Sequence, residues 1–223
     1  MDDATDCTYA GANGVTRDEP RQGVVITALG ITQILAWGCS YYLLAVLATP
    51  ITTETGWSLQ WVVGGLSLGL LIAGLVSPAV GRAIQNYGGR PILAISSILL
   101  AAGLIAVGLS QSIAVYLVGW IVIGFGMGAG LYDAAFATLG RIYRERARGA
   151  ITMLTLLGGF SSAICWPLSW LHVESTGWRA ACLVYAGLQL IVSLPIYLLL
   201  LPQKHRPRST IKIRSRRTNR ISD

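Results

Sequence analysis

Long apolar stretches separated by short polar clusters dominate the sequence. Six such stretches lie at 24–48, 59–80, 91–109, 113–139, 150–171 and 180–201. Each is apolar on all sides, and each approaches the length of about 20 residues that a helix needs to cross a bilayer core. Because no water satisfies backbone groups there, each stretch must be helical. The sequence therefore predicts an all-α membrane protein, with six transmembrane helices over 24–202 and polar ends at 1–23 and 203–223.

The basic residues lie almost entirely on one side of this predicted bundle. Of the 17 Lys and Arg residues, only Arg179 falls on the side away from the N-terminus. Since Lys and Arg are retained on the cytoplasmic side, we predict a multi-pass protein of the cell membrane with both termini in the cytoplasm. The segment 1–23 is predicted to be a disordered cytoplasmic end.

Charged residues make up only 12% of the chain, about half the share of a soluble domain. The formal net charge of +7 belongs to the end of the chain, because 203–223 holds eight basic residues and one acid. This segment is predicted to be a disordered tail that contacts anionic lipid. The lipid bilayer is therefore the expected partner of the tail, and nucleic acid is not.

A weak internal repeat relates the first three predicted helices to the last three. Three residues recur at an offset of 90, with Gly38, Tyr42 and Ala45 matching Gly128, Tyr132 and Ala135. Since three helices are an odd number, the two triplets would run in opposite directions through the membrane. Inverted repeats of this kind are typical of secondary transporters.

The predicted loop between the second and third helices carries a glycine and arginine pattern. Its residues are Gly81, Arg82, Gly88, Gly89 and Arg90, and the glycines suit a tight turn between antiparallel helices. The pattern resembles the cytoplasmic loop signature of the major facilitator superfamily. The chain departs from that signature at Gln85 and Asn86, where the family usually has an acid and a base.

Two further segments resemble the same superfamily. The glycine spacing over 119–128 is similar to the family's fourth helix, although Trp120 replaces its usual arginine, and the outer loop at 55–58 resembles the monocarboxylate-porter and oxalate/formate-antiporter branch. The resemblance implies the N-terminal half of a twelve-helix transporter, made of two inverted three-helix repeats. Such a half would move a small solute, for example a carboxylate, by alternating access with a second six-helix half or a homodimer partner. It implies no cofactor.

Asp133 is the first candidate site residue, because it is the ionisable side chain well inside an apolar stretch. A charge near mid-membrane costs roughly 2.5–3.5 kcal/mol on insertion scales, so such a residue indicates function by default. Its partner could be Arg141, Arg148, a substrate or a proton. The structural alternative is an interfacial Asp bonded to nearby backbone.

Gln33, Trp37 and Tyr41 lie four residues apart, hence on one face of the first helix. This face could line a polar pathway or could make hydrogen bonds between helices. The resemblance implies that helices 1, 2, 4 and 5 line the pathway, which adds three further candidates: Tyr132, Thr152 and Thr155. A membrane Thr often bonds its own helix, which is the alternative for the last two.

An enzyme is the class that the sequence disfavours. Ser161 and His172 could belong to an intramembrane serine protease, but the serine lacks the second glycine of a nucleophile turn, and both fall on one predicted helix. No catalytic constellation, metal-ligand spacing or phosphate loop is found in the sequence. Two alternatives to a transporter stay open: a truncated or frameshifted remnant that transports nothing, and a basic-tailed membrane scaffold.

Overall fold

The computed structural model describes residues 22–143 and 147–201, and every regular element in these two ranges is helical. The α-helices are α1 Gln22–Trp37, α2 Leu43–Thr55, α3 Leu59–Tyr87, α4 Gly89–Gly108, α5 Ile113–Gly130, α6 Tyr132–Tyr143, α7 Ala147–Gly159, α8 Ser161–Leu188 and α9 Leu194–Leu200. Two π-helical turns, Gly38–Tyr42 and Gln189–Ser193, join α1 to α2 and α8 to α9. The predicted tail, and the predicted N-terminal segment up to residue 21, lie outside the described residues.

Five helical stretches in this part of the chain are long and apolar enough to cross a membrane. They are Gly23–Thr55, Leu59–Tyr87, Gly89–Gly108, Ile113–Tyr143 and Ala147–Leu200. The first four correspond to the first four predicted helices. The fifth contains the fifth and sixth predicted helices in a single run of 54 residues. The all-helical membrane architecture is therefore confirmed.

The long fifth stretch is bent back on itself at Gly177. This residue has φ 84° and ψ 163°, a conformation that interrupts α8 and that suits glycine. The hydroxyls of Ser169 and Tyr185, 16 positions apart, are 2.6 Å from each other and hydrogen bonded. A straight helix would separate them by about 24 Å. The two arms of α8 on either side of Gly177 are therefore antiparallel neighbours. Gly88, between α3 and α4, has nearly the same backbone conformation, with φ 95° and ψ 165°.

Small residues set the distance between α5 and its two neighbours. A Cβ added at Gly124 would lie 2.6 Å from the carbonyl oxygen of Gly69 on α3, and one added at Gly126 would lie 2.9 Å from the backbone nitrogen of Leu100 on α4. Such close backbone approach is how helices gain packing contacts in lipid, where the hydrophobic effect does not drive them together. α5 is therefore held tightly between α3 and α4.

Arg179 joins three helix ends on the side that the sequence predicts to be external. Its guanidinium donates to the carbonyl oxygens of Gly108 at 3.1 Å and Ser110 at 2.8 Å. It also forms an ion pair with Glu54, at 3.1 Å between Nε and Oε1, and the indole N–H of Trp178 donates to Glu54 Oε2 at 2.7 Å. A cation placed at the carbonyl end of a helix is favourable. The ends of α2 and α4 are thus tied to the arm that follows Gly177.

Candidate functional site

The helix that spans Ile113–Tyr143 is broken at Leu131. This residue has φ −78° and ψ −167°, an extended conformation between the end of α5 and the start of α6. The side-chain nitrogen of Gln33 donates to the carbonyl oxygen of Gly130 at 2.7 Å. Backbone that leaves the helix at membrane depth needs such a substitute partner, because lipid offers none. Gln33 on α1 therefore stabilises the break on the neighbouring helix.

Gln33 and Trp37 both face this break, as the four-residue spacing predicts. Gln33 is fully buried, and its second amide atom, Oε1, has no hydrogen-bond partner among residues 22–143 and 147–201. One turn later, the ring of Trp37 lies 5.1 Å from the ring of Tyr132, between centroids. An unpaired buried acceptor is costly, so the break holds a polar atom whose hydrogen bond is not made among the described residues.

Five aromatic side chains gather beside the break. The ring centroids of Trp37 and Tyr41 are 5.8 Å apart, those of Tyr41 and Tyr42 are 5.7 Å apart, and those of Tyr132 and Phe136 are 5.3 Å apart and stacked. Tyr41 is 42% exposed, so the group reaches the protein surface. The arrangement brings three predicted residues together and adds Tyr42 and Phe136, which the sequence analysis missed.

Asp133 lies on the first turn of α6, next to Tyr132, and is exposed. The hydroxyl of Ser77 on α3 donates to its Oδ2 at 3.1 Å. Arg141, one of the partners considered for Asp133, instead donates to the carbonyl oxygens of Ile84 and Gln85 at the end of α3. The ion pair in the described part of the chain joins Arg179 to Glu54, so Asp133 forms no ion pair with a basic side chain of these residues. We use the name Asp133 cluster for Gln33, Trp37, Tyr41, Tyr132 and Asp133.

Thr152 and Thr155 are exposed on α7 and bond to their own helix. Their hydroxyls donate to the carbonyl oxygens of Arg148 at 3.1 Å and Ile151 at 2.9 Å. This is the alternative that the sequence analysis kept open for a membrane Thr. α7 nevertheless borders the Asp133 cluster, because a side chain at Gly158 would meet the hydroxyl of Tyr132.

A comparison of the sequence with known families identifies the family of this chain. A family model described as Major Facilitator Superfamily matches residues 29–222. The chain belongs to the major facilitator superfamily. The predicted family, which is a family of transporters and not of enzymes, is therefore confirmed.

Two curated proteins are similar in sequence to part of this chain. One, from Thermoproteus tenax, is named "Uncharacterized 38 kDa protein in 23S RNA operon" and is 29% identical over 136 residues, which cover 60% of this chain and 35% of the relative. The other, human "Monocarboxylate transporter 11", is 28% identical over 137 residues, covering 61% of this chain and 29% of the relative. The chain spans about a third of the length of these relatives. The second match agrees with the predicted monocarboxylate-porter branch.

The superfamily's loop signature lies around the end of α3. The turn is made at Gly88, whose backbone N–H donates to the carbonyl oxygen of Ile84 at 2.9 Å. Gly89 opens α4 and packs against Thr138 of α6 so closely that a side chain would clash. Gly81 and Arg82 lie inside α3 rather than in the turn, because α3 continues to Tyr87. Arg90 follows on the first turn of α4. Of the three glycines predicted to suit the turn, only Gly88 makes it.

An open groove of about 720 Å³ lies between α2 and the first arm of α8. Its lining residues are Ala45, Val46, Thr49, Pro50, Trp166, Pro167, Trp170, Val173 and Glu174. Ala45 and Thr49 on α2 follow Tyr41 at four-residue steps, so the groove lies on the same side of α2 as Tyr41. Sequence analysis missed this groove, although the spacing of Trp166, Trp170 and Glu174 on one helix face is a signal for it.

Proposed function

We propose that the chain forms a six-helix body of a secondary transporter, which moves a small solute by alternating access past the Asp133 cluster. The observation that carries the proposal is the helix break at Leu131. Secondary transporters build their sites near the bilayer midplane from broken helices and the groups around them. Here a buried amide on α1 and aromatic rings from α1 and α6 lie at the break, and Asp133, whose carboxylate accepts from Ser77 of α3, follows two residues after Leu131.

Six membrane crossings are supported by the reversal at Gly177, which divides the run Ala147–Leu200 into two arms. Two inverted triplets are supported by matching irregularities. Gly88 and Gly177 share a positive-φ conformation and are 89 residues apart in the sequence. At an offset of 90 residues, the break at Leu131 corresponds to position 41, inside the π-helical turn Gly38–Tyr42. In this arrangement, both chain ends lie in the cytoplasm, as the distribution of basic residues predicts.

The proposed topology is tested by labelling single cysteines from outside intact cells. Cys39, Cys165 and Cys182 are buried, so the background needs only Cys7→Ser. Thr53→Cys and Ser175→Cys should react with an impermeant maleimide, whereas Asn86→Cys should react only after the membrane is opened. The reverse labelling pattern would contradict the topology.

A second six-helix body is proposed to cover the Asp133 cluster. Asp133 and Tyr41 lie on the surface of the described helices, and a charged group facing lipid costs roughly 2.5–3.5 kcal/mol on insertion scales. A second copy of this chain or a partner half would remove that cost and close the pathway. Sizing in a mild detergent together with uptake into liposomes tests the point, since a monomer that transports would contradict it.

The name of the human relative and the branch resemblance make a monocarboxylate the first substrate candidate. Transport itself can be tested in proteoliposomes on a solid-supported membrane, which detects the charge movement caused by a pulse of solute. We expect a current for at least one small organic ion, and we expect Asp133→Asn to abolish it. If no current appears for either organic anions or organic cations, the non-transporting remnant and the membrane scaffold become the better explanations.

A further inference from the structure

The Asp133 cluster contains a carboxylate that has no ion-pair partner in the described ranges. Arg141 on α6 is engaged with the end of α3. Arg148 on α7 lies ten residues before Gly158, which touches Tyr132, and is therefore about 15 Å away along the helix axis. Arg82 on α3 lies five residues beyond Ser77, about 140° around that helix. Arg90, on the first turn of α4, forms no ion pair with Asp133, since the ion pair of the described ranges joins Arg179 to Glu54. None of these four basic side chains is thus in an ion pair with the carboxylate.

The aromatic rings beside the helix break are suited to a cation. Trp and Tyr faces attract ammonium groups through their negative ring quadrupole, with Trp the strongest. Trp37 and Tyr132 stand 5.1 Å apart, and Tyr41 keeps one side of the group open to the surface. Gln33 Oε1 adds a buried acceptor at the same break, and an ammonium group brings up to three donors. The rings, and the carboxylate that follows Tyr132 on α6, have the chemistry that an ammonium head requires.

A carboxylate would meet the opposite conditions. The indole N–H of Trp37, which is buried and has no hydrogen-bond partner among the described residues, and the tyrosine hydroxyls could donate to it. These donors are neutral, however, and they leave the repulsion between a substrate carboxylate and Asp133 in place.

We infer that the Asp133 cluster binds the ammonium group of an organic cation, with Asp133 as counter-ion and Trp37 and Tyr132 as ring partners. The inference rests on the proposed transport function and names the charge class of its substrate. The name of the human relative points to a carboxylate, so the two chemistries can be set against each other directly.

The test compares two probes of nearly the same shape and opposite charge. The full chain is placed in nanodiscs of zwitterionic lipid, and binding is measured by calorimetry with phenethylammonium chloride and with sodium 3-phenylpropionate. We expect phenethylammonium to bind about tenfold more tightly, a difference of ~1.4 kcal/mol. Tighter binding of 3-phenylpropionate, or no detectable binding of phenethylammonium at millimolar concentration, would overturn the inference.

Variants locate the binding. Asp133→Asn should weaken phenethylammonium binding by about tenfold, and Asp133→Glu, which keeps the charge, should restore most of it. Glu174→Gln is the matched control, because it removes the same charge from the outer groove and should change binding by less than about twofold. An equal loss in Glu174→Gln, or none in Asp133→Asn, would refute the assignment to Asp133. The transport current is measured separately, so a failed charge preference in a chain that still transports would contradict the substrate class and not the transporter.

Discussion

Adding one methyl group between α3 and α5 should destabilise the helix bundle. The Cβ of Gly124→Ala would lie 2.6 Å from the carbonyl oxygen of Gly69, 3.0 Å from its Cα and 2.9 Å from the Cβ of Ile72. Comfortable carbon contacts are about 3.5–4.0 Å, so the two backbones must separate by roughly 1 Å. Overpacking of this kind typically costs 1–3 kcal/mol. We expect the free energy of unfolding of Gly124→Ala to fall by about 2 kcal/mol.

The measurement is unfolding by SDS in mixed micelles, followed by far-UV circular dichroism. Gly74→Ala is the matched control, because Gly74 lies on α3 and a Cβ added there has no neighbour within 4 Å. Its stability should stay within about 0.5 kcal/mol of the parent. If Gly124→Ala unfolds at the same SDS concentration as Gly74→Ala, the close contact between α3 and α5 does not hold the bundle together, and the packing argument fails.

Three further changes test other parts of the account. Arg179→Gln should lower the free energy of unfolding in SDS by about 1–2 kcal/mol, because it loses the bonds to the carbonyl oxygens of Gly108 and Ser110. Glu54→Gln should lower it by less than about 1 kcal/mol, because both side chains of the ion pair are partly exposed. Equal effects of the two variants would contradict this. Gly177→Ala should lower the free energy of unfolding by more than about 1 kcal/mol in the same assay, because position 177 has a positive φ. Gly187→Ala, where an added Cβ has no neighbour within 4 Å, should be nearly neutral. A neutral Gly177→Ala would contradict a turn that requires glycine. Removing 203–223 should weaken salt-sensitive binding to anionic vesicles by up to about 1 kcal/mol per basic residue near the surface and leave membrane insertion intact; unchanged vesicle binding would refute the lipid-contacting tail.

The hydrophobic pattern predicts the membrane helices well, because a lipid environment demands long apolar runs that can be read locally. The same pattern divides the last run at 172–179, between the predicted helices 150–171 and 180–201, and the reversal at Gly177 lies in that gap. What the pattern does not show is that Ala147–Leu200 is helical almost throughout, up to and beyond that reversal. The break at Leu131 is also hidden, since no proline marks it and the lost helical bond to the carbonyl oxygen of Gly130 is replaced by one from Gln33, 97 positions away from Gly130.

The candidate site was only partly predictable for a similar reason. The spacing of Gln33, Trp37 and Tyr41 on one helix indicates a common face. The ring of Tyr132, which completes the cluster, comes from a different helix through tertiary packing. Arg179 was visible as the exception to the charge distribution, but its contact with Glu54 joins residues 125 positions apart. Such long-range partners follow from the fold and cannot be read from spacing.

The central claim is that the Asp133 cluster lines a water-accessible pathway and does not face lipid. Tyr41→Cys and Ile191→Cys test it in the Cys7→Ser background, because Tyr41 belongs to the cluster, whereas Ile191, 77% exposed, lies beside apolar neighbours on the π-helical turn before α9. Membranes containing each variant are treated with a charged, water-soluble thiosulfonate, which reacts only with thiols that water reaches. The account predicts rapid modification at position 41 and protection at position 191. Protection at both positions would contradict it.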